Sequence, residues 1–501
     1  MGWLKNMATK VMKLLNIRPA PDKTINIIEP LSFQGNVLKN RIWYRGDPSE
    51  LDQFFKQSAR DLVSQSRFWS AVPSDKLNIR KIHSGIPAMI AERLGDIIVA
   101  DIEGIDVGSD ELNTLFEEIS DDNNFNKVIG EAIVETLVTG DGAFKITVDT
   151  DVTPYPIIDY YGGERVEYTV KRGRIQEIIF YTNYAKENRN YTLQETFGKG
   201  YIKYMLYDDS GKEVAINTVE ETSELKDTTF DGNFIMAVPM MFFKSQKFDG
   251  RGKSIFDSKS DSFDALDETI SQWVDAIRAG RVQKYIPKEL LPINPSTGEV
   301  LEPNPFDNQF ISRKTVLSEN AIDKMDVVQA EVNYSAFVET YASNLDMCLQ
   351  GIISPATLGI DLKKTDNAEA QREKEKTTLY TRGKIIDVLT EVIPEVVSIA
   401  LQVNDLLHSK APGEYEATIN FGEYASPSFD TVVDTVGKAK MNGIMSIEQC
   451  VEEMYGDTWT DEEKAEEVQR IKEQSGMTTL DEPGINGQDD DITNELNNVG
   501  E

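Results

Sequence analysis

The residues that most resemble chemistry are Gly252-Lys253-Ser254. A phosphate-binding loop ends in Gly-Lys-Ser/Thr ahead of a helix, with another glycine five residues upstream so that backbone N–H groups can wrap the phosphates. Lys247 stands at that upstream position, and no apolar strand ending in Asp offers a magnesium-binding partner. The residues are better read as a flexible glycine loop, Gly250 and Gly252, leading into a helix. His83 and His408 are the only histidines, so a histidine triad or metal site would need residues very far apart in the chain. Asp121, Asp122, Asn123 and Asn124 have the composition of a calcium loop without its central glycine or closing glutamate in register, and read as a solvated helix break. Carboxylate pairs carry no weight in so acidic a chain. The expectation is no catalytic residue, no metal and no cofactor.

The chain has 501 residues, beyond the usual size of a single core, so two or more regions are expected. Its 85 acidic residues against 52 basic ones leave a net charge of −33. Phosphate binding needs clustered Lys and Arg, so this balance argues against a broad basic surface that grips nucleic acid. Composition fits equally a chain whose acid confers solubility and one whose acidic lining lets phosphates pass without sticking. With only Cys348 and Cys450, neither a disulfide framework nor a Cys-rich zinc site is expected, and a reducing cytosol is the natural place of synthesis. No apolar run approaches the roughly 20 residues of a membrane span, and no signal peptide with a small-residue cleavage site is seen. No stable membrane insertion follows from such a sequence.

The informative cations are those with a distinctive place. Lys363 and Lys364 sit in a loop between helices, and Arg278, Arg281 and Lys284 gather towards the end of a helix. They are either ordinary surface cations paired with nearby acids or, if the helices form the wall of a ring, groups facing the lumen or a neighbouring subunit.

The elements that position them run from Phe256 to Leu407. Phe263, Leu266, Ile270, Trp273 and Ile277 recur at spacings of three and four and share one narrow helical face. After an insertion rich in Pro and Asn, Pro287 to Val332, the residues Tyr334, Phe337, Tyr341, Leu345, Cys348 and Ile352 repeat nearly the same pattern. Two such helices make an antiparallel hairpin with a small module at its tip. At roughly 1.5 Å per residue the first helix would span about 40 Å, too long to hide in one subunit unless neighbours pack beside it. It reads as a wall element of a larger assembly.

Around this hairpin, residues 1–20 form a basic amphipathic helix, with Trp3, Leu4, Met7, Val11, Leu14 and Leu15 between Lys5, Lys10, Lys13 and Arg18, suited to docking on a partner or lying on a membrane. Helical patterns follow at Asp47 to Ala71, Ile82 to Val99 and Ser109 to Thr139, the last broken near Asp121 to Asn124. Gly140-Asp141-Gly142 turns the chain into strands at Phe144 to Val148, Arg165 to Val170, Ile175 to Tyr184, Tyr201 to Tyr207 and Phe234 to Phe243. Turns are expected at Lys171 to Gly173 and Asp208 to Gly211, and strand character at Gln309 to Leu317. Beyond the hairpin, a loop from Ala356 to Thr365 precedes a long helix, capped by Asp366, from Asn367 to Leu407. Pro394 should kink it, and its half from Ile385 to Leu407 should bury against the α+β region. A strand at Tyr415 to Phe421, helices at Ser428 to Met441, Ser446 to Tyr455 and Asp461 to Gln474, and an acidic tail from Met477 expected to be disordered complete the chain. The fold class is α+β, predominantly helical.

This order of parts resembles the portal protein of tailed bacteriophages, particularly the type of siphophages of Gram-positive bacteria. Local sequence carries the resemblance too: Ile82-His83-Ser84-Gly85-Ile86-Pro87, Glu135-Thr136-Leu137-Val138-Thr139-Gly140-Asp141-Gly142-Ala143 and Gly252-Lys253-Ser254-Ile255-Phe256. It implies an N-terminal arm over 1–46, a wing over 47–255, stem helices over 256–286 and 333–353, a clip over 287–332 and a tunnel loop over 354–366. A long kinked wing helix with its closing strand would occupy 367–427, a helical crown 428–476 and the acidic tail 477–501. The family further implies a homo-oligomeric ring, usually a dodecamer, made in the bacterial host cytoplasm and built into one capsid vertex of the virion. Its partners would be the major capsid protein and scaffold, the terminase that pumps double-stranded DNA through the channel, and the head-to-tail adaptor. Lys363 and Lys364 would face the DNA. Two other readings stay open: a nucleotide-binding enzyme using Gly252 to Ser254, and a peripheral membrane scaffold using the basic terminus.

Overall fold

The computed structural model describes residues 31–61, 69, 80–280, 283–287, 294–298, 310–313, 326–328, 332–360, 368–422, 429–455 and 459–474. The chain falls into two compact units, Met1–Gly422 and Glu423–Glu501. The fold is α+β, with helices and sheets in one chain.

The first described helix, α1 (Phe33–Arg45), opens behind Ser32, whose hydroxyl accepts from the Gly35 N–H, and closes at Gly46 with φ 67°. Its Val37 and Trp43 are fully buried. This corrects the expectation of a free arm over residues 1–46: from Phe33 onward the chain is core. The helix escaped notice because its buried face is partly polar. Asn36 and Asn40 lie on that face, and both donate to Asp257 Oδ1, at 2.7 and 2.9 Å. The basic stretch over residues 1–20 lies outside the described residues.

α2 (Pro48–Asp61) and α3 (Ile86–Ala100) follow. Residues 82–85 precede α3 as non-helical backbone, ending in Gly85 at φ 73° with Pro87 in the first turn. α4 (Asp110–Asn123) and α5 (Phe125–Thr139) are separated, as expected, at Asn124, which adopts φ 50°. Gly140, at φ 106°, then hands the chain to β2 (Gly142–Thr147). β2 is the middle strand of a three-stranded sheet between β3 (Ile157–Gly162) and β10 (Ala237–Met240). A larger antiparallel meander runs through β4 (Val166–Lys171), β5 (Arg174–Lys186), β6 (Arg189–Gly198), β7 (Tyr201–Asp208) and β8 (Glu213–Val214), with β9 (Thr228–Thr229) also on β7. Its first turn places Arg172 and Gly173 at φ 54° and 78°, the left-handed pair that a tight hairpin requires. β1 (Ile102–Asp106) pairs with β14 (Thr418–Phe421).

β1, β3, β6, β8 and β9 have no counterpart among the expected strands. For β6 the cause is visible: Leu193 and Phe197 point to the core, but between them on the same face stands Glu195, 5% exposed. Glu195 accepts from Lys145 Nζ at 3.0 Å, and the ammonium also reaches Tyr161 Oη at 3.1 Å. Burial works against the charge on Lys145, yet Glu195 and Tyr161 outweigh it and hold the group above the ordinary lysine range.

The hairpin consists of α6 (Ser260–Ala279) and α7 (Tyr334–Leu349). Twenty residues give α6 a length of about 30 Å, shorter than the expected 40 Å, because the chain leaves the helix at Gly280 and becomes strand at Gln283. Between the helices, β11 (Gln283–Pro287) pairs in parallel with β12 (Phe310–Arg313) and antiparallel with β13 (Asp326–Val328). α8 (Ala368–Leu407) runs unbroken for 40 residues through Pro394. As expected, its second half is buried at Ile385, Leu389, Ile393, Val396, Val397 and Ala400, against β2, β10 and β14. Asp366 and the loop with Lys363 and Lys364 lie outside the described residues.

The second unit has α9 (Phe429–Met441), α10 (Ile447–Tyr455) and α11 (Asp461–Gln474). Val436, Cys450 and Val451 are buried, and Lys472 reaches Glu448 at 2.6 Å to tie α11 to α10. The tail from Met477 is outside the described residues.

Candidate functional site: the root and tip of a helical hairpin

The three sequence stretches that resemble a portal meet at the root of α6. Asp141, whose side chain is 0% exposed, receives Arg251 Nε at 3.0 Å, Arg251 Nη2 at 2.7 Å and the Gly252 N–H at 2.6 Å. The remaining Arg251 donors reach the carbonyls of Val166 and Gly163, at 2.8 and 2.6 Å, and the guanidinium lies 3.8 Å from the centre of the Phe33 ring. Here glycine is a packing requirement: a Cβ on Gly252 would lie 2.0 Å from the Gly140 carbonyl oxygen.

The Gly252 loop is therefore packed rather than flexible. The N–H groups of Gly252, Lys253, Ser254 and Ile255 donate to Asp141, the Phe243 carbonyl, Asp257 Oδ2 and the Leu137 carbonyl respectively. The Ser254 hydroxyl also donates to the Leu137 carbonyl. A phosphate loop needs those donors pointing outward, and here they are engaged within the protein.

About two turns into the helix, Asp267 is fully buried. Its Oδ1 accepts from the Ser84 N–H at 2.8 Å, and its Oδ2 accepts from Trp69 Nε1 at 2.9 Å and lies 2.7 Å from His83 Nδ1. A carboxylate can only accept, which places the His83 hydrogen on Nδ1 in this network. The Ile82 N–H donates to Ser271 Oγ at 2.9 Å. The stretch from Ile82 to Pro87 thus docks the root of α6 onto the start of α3. Arg41 pairs with Glu135 and Glu164 beside the same junction. Burial is the largest influence on Glu135 and raises its carboxyl above the usual range despite Arg41. On the returning helix, Lys259 Nζ donates to the carbonyls of Met347 and Gln350, at 2.7 and 2.8 Å, closing the C-terminal end of α7.

Along the hairpin the two expected seams meet, but their burial is graded. Phe263, Leu266, Leu345 and Cys348 have 0% exposure. Burial pushes the Cys348 thiol up to about 12. Asn344 Nδ2 ties the helices by donating to the Ala265 carbonyl and Thr269 Oγ1. Ile270 and Tyr341 are half-buried. Trp273 stacks on Phe337, with ring centres 6.1 Å apart and planes 3° from parallel, and meets Tyr334 edge-on at 5.8 Å. At the tip Ile277 is 55% and Tyr334 65% exposed. The enclosed Trp273 Nε1 has no hydrogen-bond partner among the described residues.

The cation cluster expected near the end of the helix is not on one helix. Arg278 is exposed on the last turn of α6, Lys284 belongs to β11, and Arg281, Lys363 and Lys364 lie outside the described residues. His408 Nδ1 lies 2.8 Å from the Asn404 carbonyl at the end of α8, far in sequence from His83. Among the described residues no group of three or more His, Cys, Asp or Glu could hold a metal, and no helix is long and apolar enough to cross a membrane. The root carboxylates Asp141, Asp257 and Asp267 were missed as determinants. The signal for them was present only as closely spaced glycines and as aspartates beside otherwise apolar helix faces.

No family model and no curated protein matches the chain. Among solved structures it is similar to the neck of a native GTA particle computed with C12 symmetry, at 12% identity over 76% of this chain and 90% of that chain, with a TM-score of 0.37. It is also similar to the neck of an empty GTA particle computed with C6 symmetry, at 10% identity over 77% of this chain and 91% of that one, with a TM-score of 0.35.

Proposed function

We propose that this chain is the subunit of a ring-shaped connector of the phage portal type. The ring would sit at one capsid vertex, pass double-stranded DNA inward during packaging and outward during ejection, and carry the head-to-tail adaptor. The observation that carries this reading is the unequal hairpin: its root is clamped by buried carboxylates, while at its tip Ile277 and Tyr334 are more than half exposed among the described residues. Exposed apolar side chains on a rigid projecting element call for a partner, and in a closed ring the partner is the next copy.

Two further features support it. The three resemblance-bearing stretches share one structural task, holding α6, which gives a physical reason for their occurring together. The net charge of −33 suits a channel wall that repels phosphates. On this proposal the ring has twelve subunits and catalyses nothing; a separate terminase supplies the work, and the capsid protein and scaffold surround the ring. Lys363 and Lys364 would face the DNA.

Mass photometry of the full-length protein, followed by negative-stain imaging of any large species, tests the proposal. A closed ring with a central hole is expected. A monodisperse monomer at every concentration would overturn it. In an assembled packaging system, Lys363→Glu with Lys364→Glu should leave the ring intact and alter DNA packaging; unchanged packaging would count against that assignment.

A further inference from the structure

A cleft of about 350 Å³ opens at the hairpin root, between the loop that leads into α6, the end of α7 and the first half of α8. Its charged lining residues are Lys253, Lys259 and Lys384, and among the described residues no Asp or Glu lines it. That is unexpected in a chain with 85 acidic residues against 52 basic ones. Lys253 and Lys384 make no ion pair among the described residues. Lys259 donates to two carbonyls, which fix its position without cancelling its charge. Asp257, two residues before Lys259, accepts from Asn36, Asn40 and the Ser254 N–H instead. Ser258 contributes an exposed hydroxyl to the lining.

Two physical features add to the positive potential. α6 begins at this point, and the residue before it, Lys259, provides no side-chain cap, so the N-terminal end of the helix dipole borders the cleft. Burial is the largest influence that pushes the Lys259 ammonium below its ordinary range, against an opposing influence of Cys348 and with a smaller contribution from the charge of Lys253. Like charges held together without a counter-charge repel. Such an arrangement is relieved by a ligand of opposite sign.

We infer that this cleft is a binding site for a phosphate-class oxyanion. Three ammonium groups, one of them anchored, match a dianion better than a lone carboxylate, and the cleft is roomy enough for a phosphoryl group with part of what it is attached to. The shared chemistry is the phosphoryl oxygens; the source is either free inorganic phosphate or the phosphodiester of a nucleic acid strand. The site is independent of the ring proposal, because every lining residue belongs to one chain.

The test is thermal unfolding and calorimetric titration of the full-length protein with inorganic phosphate, against sodium chloride of equal ionic strength. It is repeated with Lys253→Ala combined with Lys384→Ala, which spares Lys259 and its contacts with α7. Phosphate should raise the melting temperature of the parent protein beyond chloride, and the double variant should bind it more than about tenfold more weakly, the loss of at least one charge-assisted hydrogen bond. Its circular dichroism and its melting in chloride should be unchanged. A fluorescent duplex oligonucleotide separates the sources: one that phosphate displaces, and that the double variant binds more weakly, marks the phosphodiester, while phosphate binding without displacement marks the free anion. Absence of a phosphate-specific shift, or a shift that survives in the double variant, would overturn the inference. Mass photometry of the same samples keeps the two proposals apart: a monomer that binds phosphate keeps the site and sinks the ring, and a ring that ignores phosphate does the reverse.

Discussion

Trp69 and Trp273 both belong to the hairpin's environment, one at its root and one near its tip. Trp69 is 1% exposed and its indole N–H donates to Asp267; Trp273 stacks on Phe337 and its N–H has no partner among the described residues. The same apolar spacing along α6 thus ends in two different environments. At the root, polar and charged side chains from α1, the turn before β2 and the segment before α3 converge on the buried carboxylates Asp141, Asp257 and Asp267, so the helix folds as part of a core. At the tip, among the described residues, α7 and the tip's own rings are what Trp273 packs against, and Ile277 and Tyr334 are more than half exposed. The root carboxylates Asp141 and Asp267 thus find their donors within the chain, whereas Ile277 and Tyr334 at the tip stay more than half exposed.

The largest effect should come from breaking the root. Asp141→Ala leaves Arg251 desolvated without its carboxylate, and should cost about 3–5 kcal/mol, read as a lower denaturant midpoint. Phe263→Ala, which opens a cavity at a fully buried site, should cost about 3–5 kcal/mol as well. If either changed assembly while leaving stability intact, the root would be an interface rather than a clamp. The tip should behave oppositely. Ile277→Ser combined with Tyr334→Ser should shift chain stability by less than about 0.5 kcal/mol per site, yet reduce or abolish the large species in mass photometry. Equal destabilisation at root and tip would erase the distinction drawn here.

Chemical access gives a smaller test of the same contrast. Because burial pushes the Cys348 thiol up to about 12, almost no thiolate exists at neutral pH, and iodoacetamide should modify Cys348 only as fast as the hairpin opens. Tip variants should leave that rate alone, and root variants should raise it.

The smallest effect lies in the second unit, where the comparable ion pair is exposed. A hydrogen bond from Lys472 is the largest of the influences that hold the Glu448 carboxyl down to about 2, from its ordinary value of 4.5. A folded-state pKa below the unfolded one contributes stability that is present above pH 4.5 and lost as pH falls towards 2. Glu448→Gln should flatten the acid limb of unfolding slightly, as suits a solvent-screened pair. A large change would mean that the pair is shielded.

Much of this architecture was legible in the chain. The hairpin seam, the break at Asn124, the turn at Gly140, the long helix and the three C-terminal helices all follow from periodicity, capping and glycine placement, which act within a few residues. The errors share a cause. α1 was missed because Asn36 and Asn40 look solvated until Asp257, more than two hundred residues away, accepts from both. β6 was missed because Glu195 breaks its alternation until Lys145 buries beside it. The Gly252 loop looked flexible until Asp141 took its N–H and its neighbouring arginine.

By itself, then, the sequence determined most of the helices, several of the strands, the breaks at Asn124 and Gly140, and that two amphipathic helices must face each other, because backbone geometry and apolar spacing are local. Only the tertiary structure decided which polar residues are interior, which end of the hairpin is finished, and that three lysines share a cleft without a carboxylate. The reason is physical: whether a charge is stable inside a protein depends on the partner that reaches it, and that partner is supplied by the fold rather than by its neighbours in sequence.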